Sequence, residues 1–366
     1  MTAATNPRTV SLCIFAFLAS ALITLAIKSS SHHGTAGWIS SLSRASSHAN
    51  KIHAAPRVAY ATFLAAPRQD NTDAFDDKDE DDEQDGYYIG TRVLAYQLLH
   101  SKTAGTNSSI PFIVLCTPDV SLRKRNRLKK DGATVIVAES LNADWVTAGA
   151  GEPRWRDVMT KMRLWQMTQY SKILFIDADM LVIDSLDGVF YDEATLTQAT
   201  GNNPQNLKTD EAPLPRTYMF AGAPDIGFTT ESGGNFLGYD HPYPPDPNLS
   251  YLNCGFFVFT PSKELFDYYT SLINIPGRFD PRFPEQNLLN YAHRRDGNMP
   301  WKPLWYGWNV NWPTEKDWRG GARSFHAKYW SGDPSHDPFL KAIWKEQRAE
   351  MEGFHRGRDA ARKELS

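Results

Sequence analysis

Ile173 to Ile176 form an apolar run, and Asp177-Ala178-Asp179 follows it directly. In an extended segment residues i and i+2 face the same way, so the two carboxylates would project together from a strand end. Like charges at that distance repel unless a cation lies between them or one takes a proton. Oxygen ligands suit Mg²⁺ or Mn²⁺. A divalent ion bridging to a diphosphate would neutralise a leaving group that gains negative charge. Taken alone the motif is short, and acid pairs also cap loops and helices.

The elements that must position this pair alternate. Val58 to Leu64 reads as a first strand, Gly90 to His100 as a helix, and Phe112 to Cys116 as a buried strand. Ser121 to Lys130 reads as a basic helix and Thr134 to Val137 as a strand. Asp157 to Tyr170 reads as an amphipathic helix with Met159, Met162, Leu164, Trp165 and Met167 on its apolar faces. Strands alternating with helices imply an α/β fold whose mostly parallel sheet is covered on both faces. Such sheets collect ligands at the carboxyl ends of strands, where Asp177 and Asp179 fall. Beyond them, Thr195 to Arg216 is polar and reads as a surface excursion, Phe256 to Phe259 as a strand, and Glu264 to Ile273 and Gln286 to His293 as helices. Trp301 to Trp318 is Trp-rich and reads as core rather than as an acceptor platform. Pro338 to Glu364 reads as a charged helix with an apolar stripe. Neither a phosphate-binding G-x-x-x-x-G-K-[ST] loop nor a G-x-S-x-G elbow occurs.

A chain of 366 residues suits one large α/β domain or two small ones, and its 11 Trp, 15 Tyr and 19 Phe could line a sugar or base pocket. The net charge of −3 hides an asymmetry: Asp70 to Asp85 carries ten acids and one lysine, so the remainder is mildly basic. That stretch is too charged to pack and reads as a solvated insertion in the first strand–helix loop. The basic remainder suits an anionic small molecule and argues against nucleic acid, which needs a dense basic patch. Three cysteines in unrelated positions give neither a disulfide framework nor zinc spacing, and Cys116 and Cys254 are expected as buried free thiols.

Val10 to Ile27 is 18 residues without a charge, between Arg8 and Lys28. At full helical rise it spans about 27 Å, enough for a thin bilayer. A cleaved secretory signal is the competing reading, but the run is long for one and no small-x-small site closes it. The organisation that follows is a short cytoplasmic tail (1–9), a transmembrane signal anchor (10–27), a flexible Ser/His/Ala/Gly-rich stem (28–57), a catalytic domain (58–337) and a C-terminal helix (338–366). The sequons Asn107-Ser108-Ser109 and Asn248-Leu249-Ser250 favour a luminal body, and hence a single-pass type II protein of the Golgi or endoplasmic reticulum.

The segment Thr160 to Lys172, "TKMRLWQMTQYSK", and the strand after it resemble a retaining glycosyltransferase of family 8, the group that includes glycogenin and plant xylan glucuronosyltransferases. Lys161, Trp165, Thr168, Phe175, Asp177, Ala178 and Asp179 fall on that family's T/S-K-x-R/H-x-W-x-x-T and F-I/L-D-A-D patterns. "VAYATFL" with Thr62, Tyr87, "FAGAPD" (Phe220 to Asp225), "LNCGFFVFTPS" (Leu252 to Ser262), "EQNLLN" (Glu285 to Asn290), "WYGWN" with Asn309 and "SFHAKYW" (Ser324 to Trp330) follow in the family's order. The resemblance covers Val58 to Trp330.

It implies a GT-A-like, Rossmann-related fold and transfer of a nucleotide-activated sugar, in the first place UDP-linked, to a glycan or glycoprotein hydroxyl. Asp177, Asp179 and His326 would ligate Mn²⁺ or Mg²⁺. Thr62 and Tyr87 would contact the uridine, and Asp177 also the ribose. Lys161 would contact sugar or phosphate, and Lys328 the β-phosphate. Asn253, Glu285 and Gln286 would surround the transferred sugar. Three departures bear on donor choice: Glu285 stands where the family has Asp, Lys328 follows His326 by two residues instead of several, and Cys254 replaces a serine. A self-glucosylating glycogenin-type protein and a luminal sugar-nucleotide-binding scaffold stand as alternatives. A hydrolase does not, since same-face carboxylates cannot flank a glycosidic bond.

Overall fold

A computed structural model describes residues 57–67, 85–225 and 250–365. The chain divides into two units, Met1–Ala55 and Pro56–Ser366, and the described residues belong to the second. The apolar run 10–27, nearly all of the stem, acidic residues 70–84 and Asn248 lie outside them.

The strands are β1 (Val58–Leu64), β2 (Phe112–Cys116), β3 (Thr134–Val137), β4 (Lys172–Ile176), β5 (Met180–Val182), β6 (Gln198–Ala199), β7 (Thr217–Tyr218), β8 (Phe220–Pro224), β9 (Leu252–Phe259), β10 (Lys302–Pro303), β11 (Val310–Asn311) and β12 (Ser324–His326). The α-helices are α1 (Gly86–Leu99), α2 (Leu122–Asp131), α3 (Asp144–Gly149), α4 (Lys263–Ile273), α5 (Pro284–Ala292), α6 (Glu315–Gly320) and α7 (Pro338–Glu364). Seven strands form one sheet in the order β10-β8-β9-β4-β1-β2-β3, parallel except at β9, which runs against both β4 and β8. A second sheet, β11-β12-β5, pairs β12 antiparallel to β5.

Strand alternation builds the core. Ala59, Ala61, Ile113, Leu115, Ile173 and Phe175 face one apolar layer. Their neighbours Tyr60, Phe112, Val114, Cys116, Leu174 and Ile176 face the other. A period of two that is apolar in both phases marks a sheet buried on both sides. Ser121 caps α2 by accepting from Lys124 N, and Gly132 ends it in the left-handed region at φ 112°.

The structure corrects the helix expected over Asp157 to Tyr170. The segment is a 3₁₀ helix, Pro153–Gln166. Three residues per turn stack positions i, i+3 and i+6 in one row. Trp155, Val158 and Lys161 accordingly line a single cleft wall, while Met159, Met162 and Trp165 enter the core beneath the sheet. An α-helical turn would rotate Lys161 away from Trp155. Cys116 and Cys254 are buried free thiols.

Trp165 stacks on Phe259 with centroids 3.9 Å apart and meets Tyr269 edge-on at 5.0 Å. Trp165→Ala is expected to cost about 3–5 kcal/mol in denaturant unfolding. A loss below about 1 kcal/mol would show that the 3₁₀ segment does not depend on this contact.

Candidate active site

β4 ends at Ile176, and the chain turns at once toward β5. The turn is pinned where Asp177 N donates to Gly255 O of β9 at 2.8 Å. β5 then pairs with β12 in a register that sets Met180 opposite His326, and Ala327 N donates to Asp179 O at 3.0 Å. His326 Nε2 therefore reaches Asp179 Oδ1 at 3.1 Å. One ligand atom from each of Asp177, Asp179 and His326 lies within 4.8 Å of the others.

Two glycines permit this approach. A Cβ on Gly255 would stand 2.3 Å from His326 Cε1, and one on Gly90 of α1 would stand 2.5 Å from Ala178 O. Any side chain at either position would displace the imidazole or the acidic turn.

Lys161 is buried with its ammonium donating to Asp177 Oδ1 at 3.0 Å and Glu285 Oε1 at 2.9 Å, 4.8 Å from the Phe175 ring centre. Burial disfavours that charge, but the two carboxylates outweigh it and hold Lys161 above its ordinary value. The two aspartates are driven apart. Burial pushes Asp177 up, Lys161 draws it down, Asp179 pushes it up again, and the balance is upward. At Asp179 burial is outweighed by the charge and hydrogen bond of His326 and by Lys328, which hold it well below the carboxylate range. Burial lowers His326, and the charge and hydrogen bond of Asp179 more than restore it, so the imidazole ends above its usual value.

These groups wall a cleft of about 540 Å³ at the carboxyl ends of β1 and β4. Phe63, Leu64, Tyr87, Lys161, Glu285, Gln286 and Lys328 are among the residues that line it. Tyr87 meets Trp330 edge-on at 5.1 Å. Gln286 and Asn253, the latter outside the cleft lining, are both tied to the backbone of β9: Cys254 N donates to Gln286 Oε1 at 2.9 Å and Gly255 N to Asn253 Oδ1 at 2.9 Å.

Thr62 is placed differently from its sequence role. It shares the phase of Tyr60 and Leu64, is fully buried, and does not line the cleft; Phe63 and Leu64 do. Trp301 and Trp308 lie in the core as expected, whereas Trp312 is half-exposed in a left-handed backbone at φ 56°. Asn107 of the first sequon is exposed.

Sequence reasoning gave no role to Asp225, yet it is buried and its Oδ2 accepts from Asn253 Nδ2 at 3.1 Å and Gln286 Nε2 at 3.2 Å. The signal was present: Asp225 follows the buried strand β8 as Asp177 follows β4. Trp155 and Phe283, with rings 5.3 Å apart on the cleft wall, were also missed.

The donor set fits a hard divalent cation. Two carboxylates and an imidazole on one small patch suit Mn²⁺ or Mg²⁺ with open positions for further oxygens. Burial first, and the neighbouring Asp179 charge after it, push Asp177 up, and a cation held between the two carboxylates would offset both.

No protein-family model matches the chain. An uncharacterized protein of Schizosaccharomyces pombe is 27% identical over 75% of this chain and 76% of its own length. Galactinol synthase 1 of Solanum lycopersicum is 27% identical over 69% of this chain and 64% of its own. Glycogenin-1 of Oryctolagus cuniculus is 27% identical over 56% of this chain and 47% of its own. Galactinol synthase and glycogenin are themselves family 8 glycosyltransferases. The solved galactosyltransferase LgtC, in complex with donor and acceptor sugar analogs, matches with a TM-score of 0.45 at 14% identity, covering 80% of this chain and 95% of that one.

Proposed function

We propose that this chain is a retaining, metal-dependent glycosyltransferase of the family 8 kind with a GT-A-like fold. It moves a sugar from a nucleotide-sugar, UDP-linked, to a hydroxyl of a glycan or glycoprotein. The observation that carries the reading is the meeting of Asp177, Asp179 and His326 on the wall of a cleft that also holds Lys161, Glu285 and Gln286. The galactinol synthase and glycogenin relatives support it.

Asp177, Asp179 and His326 would hold the cation. When bound, it supplies positive charge to the departing diphosphate. The protein's own groups do the rest. Tyr87 and the end of β1 offer an apolar, aromatic surface to the base. Lys328 adds positive charge beside the phosphates. Lys161, fixed between two carboxylates, donates hydrogen bonds without having to reorganise. Gln286 and Glu285 accept and donate at the sugar hydroxyls, whose burial without partners would be costly. No side chain is assigned as general base. In same-face transfer the leaving phosphate oxygen takes the acceptor's proton, which is the course proposed here.

The reading includes a membrane anchor over 10–27 that holds the body in the lumen of the Golgi or endoplasmic reticulum, supported by the uncharged run and by the exposed Asn107 sequon. Among the described residues no helix is long and apolar enough to cross a membrane.

Asp179→Asn is expected to keep the fold, by circular dichroism, and to lose about 10²-fold or more of Mn²⁺-dependent nucleotide release from UDP-sugars. Undiminished turnover in that variant would overturn the mechanism. Metal binding is also expected to depend on pH. His326 is raised above its ordinary 6.5 by Asp179, so a cation must compete with a proton for the imidazole. Asp179 stays ionised throughout. Mn²⁺ affinity should therefore climb as pH rises through the range above the ordinary imidazole value, by up to about tenfold per unit, with proton release seen by calorimetry in two buffers. A flat profile would remove His326 from the ligand set.

A further inference from the structure

Of the two sequons, Asn107-Ser108-Ser109 lies among the described residues. It sits in the loop between α1, which ends at Leu99, and β2, which begins at Phe112. Asn107, Ser108 and Ser109 are all exposed. Other groups hold the loop in place. Asp187 Oδ2 accepts from Thr106 Oγ1 at 3.0 Å and from Asn107 N at 3.1 Å. Thr106 Oγ1 in turn accepts from Ser108 N at 3.1 Å and from Ile110 N at 3.4 Å, and Thr106 N donates to Leu98 O at 2.9 Å. Tyr60 of β1 donates to Asp187 Oδ1 at 2.6 Å and so ties the arrangement to the sheet. These bonds run through backbone, Thr106 and Asp187. Among the described residues none engages the Asn107 side-chain amide or the Ser109 hydroxyl, the two groups a sequon has to offer.

The loop also stands away from the cleft. β1 and β2 are parallel, with Tyr60 opposite Phe112 and Leu64 opposite Cys116. The chain enters β2 from the loop at the amino ends of these strands, whereas Leu64, Ala65, Ala66 and Pro67 line the cleft at the carboxyl end of β1. From Tyr60 to Leu64 the strand rises about 13 Å. Residues 100–111 take no part in the cleft lining.

Resting on the luminal placement proposed above, which the uncharged run 10–27 supports independently, we propose that Asn107 carries an N-linked glycan, attached on the side of the sheet away from the cleft. Its amide Nδ2 attacks the anomeric carbon of an oligosaccharide held as a lipid-linked diphosphate. A C–N bond forms as the C–O bond to phosphate breaks. The diphosphate leaves with the electron pair, and the displaced amide proton passes to a base of the transferring enzyme. A glycan on a buried or hydrogen-bonded amide would cost the fold those contacts. On Asn107 it costs none, because the loop is held through its backbone and Thr106.

The test expresses the full chain in eukaryotic cells with a C-terminal tag that contains a sequon of its own. Peptide N-glycosidase in heavy-oxygen water, followed by peptide mass spectrometry, is expected to mark Asn107 as a labelled aspartate. Asn107→Gln and Ser109→Ala should each remove one glycan from the gel mobility, and Ser109→Thr, which preserves the sequon, should keep it. The changed side chains are exposed, so circular dichroism should stay that of the parent; the labelling of the parent supplies the readout should a variant fail to fold. An unlabelled Asn107 beside a glycosylated tag overturns the inference, and so does unchanged mobility in Asn107→Gln. A tag that itself stays unglycosylated would instead sink the luminal placement on which the inference rests.

Discussion

Three residue pairs of antiparallel sheet hold the candidate site together. β5 follows the acidic turn directly, and β12 pairs with it as Ser324↔Val182, Phe325↔Leu181 and His326↔Met180. The pairing joins positions 142 to 146 apart in sequence and leaves the imidazole against Asp179, 147 residues away. Register is decisive, because a slip of one residue in a strand turns every side chain to the other face. Phe325 and Leu181 are buried in a common apolar cluster, which resists that slip. Gly255 completes the constraint from the opposite side, since only hydrogen leaves room for the imidazole there.

Charge is packed densely around this joint, and it is tolerable because each buried group has a partner. Lys161 lies between Asp177 and Glu285, Asp179 against His326, and Asp225 against two amides. Burying such groups brings little net stability, since desolvation offsets most of the Coulomb gain. Removing one partner is costly, because it leaves the other buried and unpaired. The arrangement is therefore stiff. A stiff polar site presents fixed dipoles to a reacting ligand without reorganising at the moment of reaction.

Elements far from the cleft contribute by fixing α1. That helix presses Gly90 onto the acidic turn and shelves Trp330 beside it. Its middle is tied through the fully buried Asp131 of α2, which accepts from Arg92 of α1 at 2.7 Å and from Arg127 at 2.9 Å. His355 of α7 approaches the same carboxylate at 3.3 Å, and Arg127 reaches Asp359 of α7 at 2.5 Å. α7 so belongs to the same compact unit as the sheet, and its apolar stripe, with Leu340, Trp344 and Met351, covers the cluster that holds β5 and β12.

Much of the fold was legible from local pattern alone. β1, β2, β3 and α7 occupy the spans that periodicity assigns them, and the alternation of strand and helix implied the parallel sheet. The acid pair at the end of β4 was legible too, because a hydrophobic strand closing on two like charges is anomalous without a ligand. Local pattern failed where two periods compete. In Pro153–Gln166 apolar residues recur at spacings that both three and three-point-six residues per turn accept, and contacts on two sides selected the tighter helix. It could not correct Thr62, which the resemblance set against uridine, because the phase of β1 is ambiguous in a sheet buried on both sides. It left Asp225 without a role, since one acid after one strand carries no message until Asn253 and Gln286 are brought to it. The sequence by itself determined which residues had the chemistry and that the sheet would deliver some of them to one edge. Only the tertiary structure decided the distances, because periodicity reports which way a side chain faces and never how far it stands from one that is a hundred residues away.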